Sequence, residues 1–532
     1  MSLRLESLPT PLRAAELEAA PAAWILLPHR GGLEALARLP QGELLARRLR
    51  QRERLAGPLG EEPWLTQLPN RRGTRVLLGR LPEHRPDLGL FPYLERARRG
   101  AAAAWAERPA RLEVAALLEG EALAWALEAA ARALLAISRE LPRQRGKEEA
   151  RRPPPRVRAR LHGAPPGTLD LARLEAEAEA NHLARRLAAE PPNRLGPTAL
   201  RAEAQRLARR RGWSARFLGR RQLERLGAGA FLAVARADEE EAAGILHLRY
   251  RPRGGARARP ALALVGKGVC FDTGGVHLKP ARHMQHMHED MGGAAVALAV
   301  LEALDRLGAP YPVDAWLALA RNLVGPRAYL PGEVVRAADG TTIEIVHTDA
   351  EGRLLLADTL ALAARERPGL ILDFATLTGA CIYALGSRYS GAFTNRPAWH
   401  PRLLEAGRAS GERVWPFPMD PDYDRALESR VADLKQCTLE GEADHILAAR
   451  FLARFVPEGL PWVHLDLAAA RAQGGLGAVP TEVTGFGVAF ALRLLLEEGL
   501  LAEAGRARAP SPAPQGPSRR GARKAGSRSS SQ

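Results

Sequence analysis

The sequence predicts an α/β protein with an N-terminal α/β domain and a larger C-terminal α/β/α domain built on a mostly parallel central sheet. A length of 532 residues is enough for two or three domains with a sizeable core. A hydrophobic content of 46% is that of a globular protein. In the C-terminal part, short apolar runs alternate with longer helical patterns. This order is typical of a parallel sheet with helices on both faces.

The first domain is predicted over residues 1–150. The runs AAWILLPH and TRVLLGRL predict strands, whereas the alanine-rich stretch 101–141 predicts mainly helix. Proline, arginine and glycine are frequent in 143–168, which predicts a domain boundary. Residues 151–189 are therefore interpreted as a linker and a connecting helix. The helical pattern ends before Pro191, because proline disfavours helical backbone in the residue that precedes it.

The second domain is predicted over residues 190–497. Ligands of such sheets bind beyond the carboxyl ends of the strands, so residues that follow the strands are candidates for a site. The predicted strands are Ala261–Val265, Val313–Ala320, Thr342–Val346, Leu370–Phe374 and Trp462–Leu467. The predicted helices are Gly293–Leu307, Leu354–Arg367, Ala443–Phe455 and Phe486–Glu498.

Residues 498–532 are predicted to form a disordered basic tail. The formal net charge of the chain is +17, and Gly505–Gln532 contains seven basic residues and no acidic one. Its proline, serine, glycine and arginine content is typical of disorder. One interpretation is weak attraction to nucleic acid, and the other is a solvated extension without a partner. The sequence shows no recognisable nucleic-acid-binding motif.

Several features predict a cytoplasmic protein without a membrane span. No run of about 18 apolar residues is present. The N-terminus has no continuous apolar segment of the kind that signal peptides require. Cys270, Cys381 and Cys437 are odd in number and widely separated. They indicate reduced thiols in a cytoplasm rather than a disulfide framework.

Lysine is rare in this chain, and its placement is informative. Of 77 lysine and arginine residues only five are lysine, and two of these, Lys267 and Lys279, lie in the segment VGKGVCFDTGGVHLKP. A lysine amine can lose its proton when it is buried or close to a cation, whereas arginine stays charged. A neutral amine can bind metal, and a charged one can stabilise a developing oxyanion. The retained lysines therefore indicate that an amine is needed there.

The run HTDAEGRLLLA is the most informative motif. Asp349, Glu351 and Arg353 alternate after an apolar strand-like run. In an extended segment, residues two apart point the same way, so the three side chains can converge beyond the end of a strand. Two acids and an arginine could hold a divalent metal beside an anion. The alternative for the triplet alone is a solvated turn.

Two further segments supply partners for these carboxylates. VGKGVCFDTGG adds Lys267 and Asp272, and HMHEDMGGAA adds Asp290 before a helix of small residues. The glycines do not form a phosphate loop, because no Gly-Lys-Ser/Thr follows at the required spacing. The histidines near Asp290 suggest zinc but lack an established ligand spacing. Roles at the edge of a site or in hydrogen bonds are the favoured interpretation for His277, His283, His286 and His288.

At this point the sequence resembles the cytosol (leucyl) aminopeptidases, which are two-metal enzymes with a TDAEGRL signature. The resemblance covers about residues 190–495. Seven blocks occur in the order of the family: EPPNRLGP, GAGAFLAV, VGKGVCFDTGGVHLKP, MHEDMGGAA, TDAEGRL, DFATLTGACIYALG and PWVHLDLA. The region 190–497 is accordingly expected to be a catalytic metallo-aminopeptidase domain.

The resemblance implies roles for individual residues. The implied metal ligands are Lys267, Asp272, Asp290, Asp349 and Glu351. Lys279 and Arg353 match catalytic positions that do not bind metal, with Arg353 holding a bicarbonate ion that acts as general base. The implied substrate-binding residues are Met287, Thr376, Leu377 and Gly379, for which core packing is the alternative.

The resemblance also implies the reaction and the assembly. Two divalent ions per subunit, manganese, zinc or cobalt, would activate a hydroxide that releases N-terminal amino acids, leucine-like ones preferred, from peptides with a free N-terminus. A homo-hexamer is expected. Rival hypotheses are a DNA-binding protein and an inactive scaffold, the second disfavoured because all the key polar residues are retained.

The sequence departs from the family pattern in three places. His347 stands where asparagine is usual before TDAEGR. ARADEEE at 235–241 replaces a Gly-Arg-Gly-Ser type of loop, and the histidines at 277 and 283–288 also differ. These departures affect the expected substrate preference and oligomer details rather than the reaction class.

Overall fold

The computed structural model describes residues 3–142, 144, 156–238, 242–252 and 259–501. The N-terminal part contains a six-stranded sheet in the order β1-β6-β5-β2-β4-β3. All neighbours are parallel except β3 and β4. The strands are β1 (Leu3–Leu8), β2 (Ala22–Leu27), β3 (Trp64–Gln67), β4 (Arg75–Arg80), β5 (Arg111–Ala116) and β6 (Val157–His162). The helices are α1 (Ala14–Ala19), α2 (Leu33–Ala37), α3 (Gly42–Ala56), α4 (Phe91–Ala106) and α5 (Gly120–Ile137).

Four strands of this sheet, β1, β3, β5 and β6, were not predicted, and two of them lie where other structure was expected. Strand β5 interrupts the stretch 101–141 that was expected to be mainly helical, and its central residues Leu112 and Val114 are buried. Strand β6 lies within the predicted linker and pairs with both β1 and β5. Its apolar residues alternate with arginine, which gives a strand period inside a segment whose overall composition suggests a loop. The domain boundary at residue 150 stays a prediction. The N-terminal sheet itself continues beyond that residue, to His162.

The second sheet has eight strands in the order β15-β14-β17-β13-β9-β10-β8-β7. Its centre, β17-β13-β9-β10, is parallel, and antiparallel pairs occur towards both edges. The predicted α/β class with a mostly parallel central sheet is confirmed. The strands are β7 (Ser214–Gly219), β8 (Gly244–Tyr250), β9 (Leu262–Asp272), β10 (Val313–Asn322), β13 (Leu370–Ala375), β14 (Ser390–Thr394), β15 (Val414–Pro416) and β17 (Trp462–Asp466).

One predicted strand belongs to a different sheet. The run Thr342–Val346 was expected to lie in the central sheet, but only Thr342–Glu344 forms a strand, β12. It pairs with β11 (Val334–Arg336) and β16 (Leu434–Lys435) in a separate three-stranded sheet. Its alternating burial explains the difference, because Ile343 is buried while its two neighbours are only half-buried. A central parallel strand would be buried on both faces.

Helices cover both faces of the central sheet. Alternate residues of β9 point to opposite faces: Leu262 and Leu264 pack against α11, whereas Ala263 and Val265 pack against α12. The described residues contain no helix long and apolar enough to cross a membrane. The helices are α6 (Leu171–Ala188), α7 (Pro197–Arg211), α8 (Arg220–Leu226), α9 (Gly229–Ala235), α10 (Ala281–Met284), α11 (Gly292–Arg306), α12 (Glu351–Arg365), α13 (Gly379–Leu385), α14 (His400–Ser410), α15 (Asp444–Ala453) and α16 (Val488–Leu496).

Candidate active site

Strand β9 carries two of the predicted site residues. It is longer than the predicted Ala261–Val265, so Lys267 lies within it and Asp272 is its last residue. Helix α11 approaches this strand and its neighbour β13 closely: a Cβ on Gly293 would lie 3.0 Å from the backbone nitrogen of Lys267 and 2.1 Å from the carbonyl oxygen of Phe374. Real Cβ atoms do not come that close, so glycine is required there. The close approach brings the start of α11 next to Lys267.

A glycine turn connects Asp272 to Lys279. Gly274 has a φ of +86°, which disfavours other residues. Its N–H donates to Asp272 Oδ1 at 2.8 Å. A side chain at this position would also lie 3.0 Å from Asp349 Oδ1. The turn therefore folds the chain back so that Lys279 faces the same carboxylates.

The TDAEGR segment is a turn that leads into a helix, not the extended edge that was expected. Glu351 is the first residue of α12, and Arg353 lies within its first turn. Asp349 and Glu351 nevertheless come together because the chain changes direction at Ala350. Gly352 has a steric role: a Cβ there would lie 2.5 Å from Cε of Lys267. The missing side chain of Gly352 makes room for the lysine.

Three buried carboxylates form the carboxylate cluster: Asp272, Asp290 and Glu351. Oxygen atoms from each lie within 4.8 Å of one another. Lys267 Nζ lies 2.9 Å from Asp290 Oδ1 and 2.9 Å from Glu351 Oε1. Asp349 stands at the edge of this cluster, and Lys279 joins it there. Lys279 Nζ lies 2.5 Å from Asp349 Oδ1 and 2.9 Å from Asp272 Oδ2.

The cluster is electrostatically unfavourable by itself. Burial raises the pKa of Asp272 and of Glu351; Asp349 raises the pKa of Asp272 further, and Asp272 raises that of Glu351 further. Burial also raises the pKa of Asp290. For Lys267, burial lowers the pKa, but Asp290 and Glu351 outweigh this and raise it. Four carboxylates face only two lysines, which leaves two negative charges without a partner.

The residues fit a divalent metal. Among the described residues, neither Asp290 Oδ2 nor Glu351 Oε2 has a hydrogen-bond partner, and both atoms are buried. Buried polar atoms are rarely left unpaired in proteins. Carboxylate oxygens with one amine are suitable ligands for manganese or zinc. A bound cation would satisfy these oxygens and balance the excess negative charge.

Sequence reasoning missed the residues that hold these segments together. Asn322, at the end of β10, donates from Nδ2 to Asp272 Oδ1 at 2.8 Å and to the carbonyl of Thr348 at 2.9 Å. Tyr329 donates its hydroxyl to the same carbonyl at 2.7 Å. In the sequence, only the position of Asn322 at the end of an apolar run could have marked it as a site residue. No feature of the sequence marked Tyr329.

Arg353 is buried beside the cluster. Its Nη2 donates to Asp444 Oδ1 at 2.7 Å, and its Nη1 donates to the carbonyl of Gln436 at 3.1 Å. Its Nε is buried without a hydrogen-bond partner among the described residues. Gln436 also holds the preceding turn, because its Nε2 donates to the carbonyl of Ala350 at 2.9 Å. Asp444 and Gln436 are far away in sequence and gave no signal.

A cleft of about 1090 Å³ opens onto the cluster. The predicted substrate-binding residues all line it: Met287, Thr376, Leu377 and Gly379. Thr376 donates to Asp290 Oδ1 at 2.7 Å, and its carbonyl accepts from Lys267 Nζ at 2.9 Å. The N–H of Leu377 donates to Asp466 Oδ1 at 3.1 Å. Arg353 does not belong to the cleft lining.

Four histidines, His277, His283, His286 and His347, line the cleft, and the residues that the structure describes do not join them into a metal-binding group. The rings of His286 and His288 are 6.5 Å apart. His277 and His347 stack with ring centroids 4.0 Å apart. Burial lowers the pKa of His347, and His277 lowers it further. His347 Nδ1 accepts from the N–H of Asp349 at 3.2 Å, so this departure from the family pattern supports the turn.

Comparison with known proteins identifies the family. The family model described as "Cytosol aminopeptidase family, catalytic domain" matches residues 182–492. The chain belongs to the cytosol aminopeptidase family. A probable cytosol aminopeptidase of Parasynechococcus marenigrum is 37% identical over 442 residues, which are 82% of this chain and 89% of that relative.

Other family members match over a smaller share of the chain. A probable cytosol aminopeptidase of Syntrophobacter fumaroxidans is 41% identical over 316 residues, 59% of this chain and 62% of that relative. The chain thus spans about three fifths of the length of this relative and of others like it.

Solved structures share the fold. The bottromycin maturation enzyme BotP in complex with Mn has a TM-score of 0.75 at 31% identity, covering 91% of this chain and 100% of BotP. Leucyl aminopeptidase from Trypanosoma cruzi has a TM-score of 0.78 at 27% identity, covering 93% of this chain and 97% of that one.

Proposed function

We propose that this protein is a metal-dependent aminopeptidase that hydrolyses the first peptide bond of peptides with a free N-terminus. The observation that carries the proposal is the buried carboxylate cluster with Lys267, which has unpaired oxygens and opens into a cleft of about 1090 Å³. The names of the family members support it.

The proposed metal ligands are Lys267, Asp272, Asp290, Asp349 and Glu351, and two manganese or zinc ions are expected. Bound divalent ions would lower the pKa of water and polarise the scissile carbonyl. Lys267 must give up its proton to act as a ligand, which nearby cations favour by reversing the local electrostatics. The BotP structure with Mn supports the choice of manganese.

Lys279 is proposed to stabilise the oxyanion that develops on the scissile carbonyl. It lines the cleft. Burial lowers its pKa, but Asp272 and Glu351 outweigh burial and raise it, so the amine stays charged. A fixed positive charge in a partly buried position is effective where negative charge develops, because the protein need not reorganise.

Arg353 is proposed to hold a bicarbonate ion. Its unpaired Nε and its fixed position against Asp444 support this role. Leucine-like side chains are proposed to contact Met287 beside Thr376 and Gly379, which line the cleft.

The test is hydrolysis of leucine p-nitroanilide by the purified chain, with added manganese and after chelation. We expect activity with manganese, loss on chelation and recovery on adding the metal back. Glu351→Gln should lower kcat by at least about 10²–10³, the cost of removing one electrostatic contributor.

Glu458→Gln is the matched control, because Glu458 is exposed and does not line the cleft. Full activity in the chelated protein or in Glu351→Gln would sink the proposal.

A homo-hexamer and a cytoplasmic location are also proposed by analogy with the family. Sedimentation velocity would measure the oligomer. Nucleic-acid binding stays a prediction, because most of the basic tail, from residue 502 onward, lies outside the described residues. Gel-shift titration against salt tests it, since nonspecific binding weakens steeply with salt.

A further inference from the structure

One wall of the cleft carries a chain of ion pairs that the proposed reaction does not use. Arg471 Nη1 donates to Glu289 Oε1 at 2.5 Å, and its Nη2 donates to Glu482 Oε2. All three residues line the cleft. Together, these three residues form the acidic wall of the cleft: Glu289, Arg471 and Glu482.

The acidic wall is built next to the carboxylate cluster. Glu289 ends the 3₁₀ turn Met287–Glu289 and directly precedes Asp290. Arg471 forms a β-bridge with Val483. The N–H of Ala472 donates to the carbonyl of Glu482 at 2.8 Å. These backbone contacts fix Arg471 and Glu482 against each other, on the side of the cleft where Met287 lies.

The charge of the acidic wall is negative. Two carboxylates share one guanidinium, so the wall has one net negative charge in a chain of formal net charge +17. Both terminal nitrogens of Arg471 are already bound to carboxylates. Each carboxylate gives one oxygen to Arg471 and can accept further hydrogen bonds through the other. A cation that reaches the wall would meet the free oxygens of two carboxylates beside the guanidinium of Arg471, and the one net negative charge favours a cation over an anion.

Apolar side chains line the cleft together with the acidic wall. Met287, Val483 and Phe486 line the same cleft. Lysine and arginine combine an apolar stem with a charged head, and they place the stem along apolar surface while the head stays polar. A side chain of this kind matches a cleft that is lined both by these apolar residues and by the carboxylates of Glu289 and Glu482.

We propose that the acidic wall selects substrates whose N-terminal residue is lysine or arginine, alongside leucine-like residues that use only the apolar part. This inference rests on the proposed aminopeptidase function and names a substrate class for it. The stem would pack along Met287, and the cation would bind the oxygens of Glu289 and Glu482 that Arg471 leaves free.

The test compares kcat/KM for the p-nitroanilides of lysine, norleucine, leucine and glutamate at pH 8 with manganese. Norleucine has the lysine stem without the ammonium group, so the lysine-to-norleucine ratio isolates the charge. We expect a ratio of about 5 in the unmodified protein, the size of a partly exposed ion pair. Glutamate should be the poorest of the four.

Two substitutions of Glu482 test the wall itself. Glu482 is 48% exposed, so changes there are compatible with folding. Glu482→Gln should bring the ratio towards 1, and Glu482→Lys should bring it below 1. Glu458→Gln removes the same charge outside the cleft and should leave the ratio and the leucine activity unchanged.

The outcomes separate this inference from the proposed function. If leucine p-nitroanilide is cleaved but lysine is no better than norleucine, or Glu482→Gln leaves a high ratio intact, the inference alone is overturned. A preference for glutamate would overturn it as well. If none of the four substrates is cleaved, the proposed function falls together with the inference.

Discussion

Two buried clusters of acidic and basic side chains lie in the two sheets, and they are neutralised differently. In the N-terminal sheet, Glu113 is fully buried, and its Oε2 lies 2.6 Å from His162 Nε2. Its Oε1 lies 3.3 Å from Arg160 Nη1 and 2.9 Å from Arg111 Nε. Arg160 also contacts Glu16 at 3.0 Å. Here the basic side chains balance the charge of the carboxylates, so the cluster needs no bound cation, although His162 Nδ1 and Arg111 Nε are buried without a hydrogen-bond partner among the described residues.

The carboxylate cluster of the second sheet is incomplete. Its oxygens share Lys267 and Lys279, and Asp290 Oδ2 and Glu351 Oε2 have no hydrogen-bond partner among the described residues. Burial of charged side chains alone therefore does not indicate a functional site. A functional site is indicated by buried charge that the surrounding residues do not balance.

The largest expected difference between the two clusters is in stability. Glu113→Gln should destabilise the protein by about 3–5 kcal/mol, because it breaks a buried ion pair and leaves its partners uncompensated. Glu351→Gln in metal-stripped protein should cause no loss, since burial and the neighbouring Asp272 already disfavour the charged Glu351. Urea midpoints followed by tryptophan fluorescence measure both. Equal destabilisation by the two substitutions would contradict the comparison.

A second prediction concerns Asn322, which positions a carboxylate of the incomplete cluster. Asn322→Ala removes the hydrogen bonds to Asp272 and Thr348. Loss of such a positioning residue should weaken metal binding by about 10–100-fold. Calorimetric titration of the metal-stripped protein with manganese measures the change. Asn395→Ala is a control at an amide that bonds to the backbone of Leu460, outside the cleft. Unchanged affinity in Asn322→Ala would show that the ligands hold their positions without it.

A third prediction concerns another type of buried carboxylate, whose hydrogen bonds among the described residues come from backbone N–H groups. Asp358 accepts N–H groups from Phe231 at 2.7 Å and from Ala338 at 2.6 Å. Burial raises its pKa to about 7, which the backbone hydrogen bonds oppose. Because the folded pKa lies above the ordinary value of 3.8, its contribution to stability is complete below that value and is lost as the pH rises to about 7.

The stability difference between the unmodified protein and Asp358→Asn should therefore shrink between pH 4 and pH 7, by up to about 1.4 kcal/mol per pH unit. Denaturant midpoints at several pH values test this. A difference that grows with pH would mean that Asp358 is charged in the folded state.

The sequence predicts the fold best where burial is uniform. Strands such as Leu370–Ala375 are apolar throughout, and they form where expected. Strand β6 escapes prediction because its alternating arginines lower the average hydrophobicity of the segment. Strand β12 is assigned to the wrong sheet because a local pattern does not contain the identity of its partners.

The residues of the site also fall into a group that the sequence predicts and a group that it does not. Lys267, Asp272, Asp290 and Glu351 come from motifs, and the structure brings them together. Asn322, Gln436 and Asp444 reach the site only through the fold. Their roles depend on long-range geometry, which a single sequence does not encode locally.

Gly352 connects two of these motifs in a further way. The space that its missing side chain leaves is filled by the stem of Lys267. Any larger residue at 352 would displace the amine, and a bulkier residue at 267 would clash with the first turn of α12. The two positions therefore constrain each other sterically, although they are distant in the chain. A library that randomises both should recover folded variants only in matched pairs.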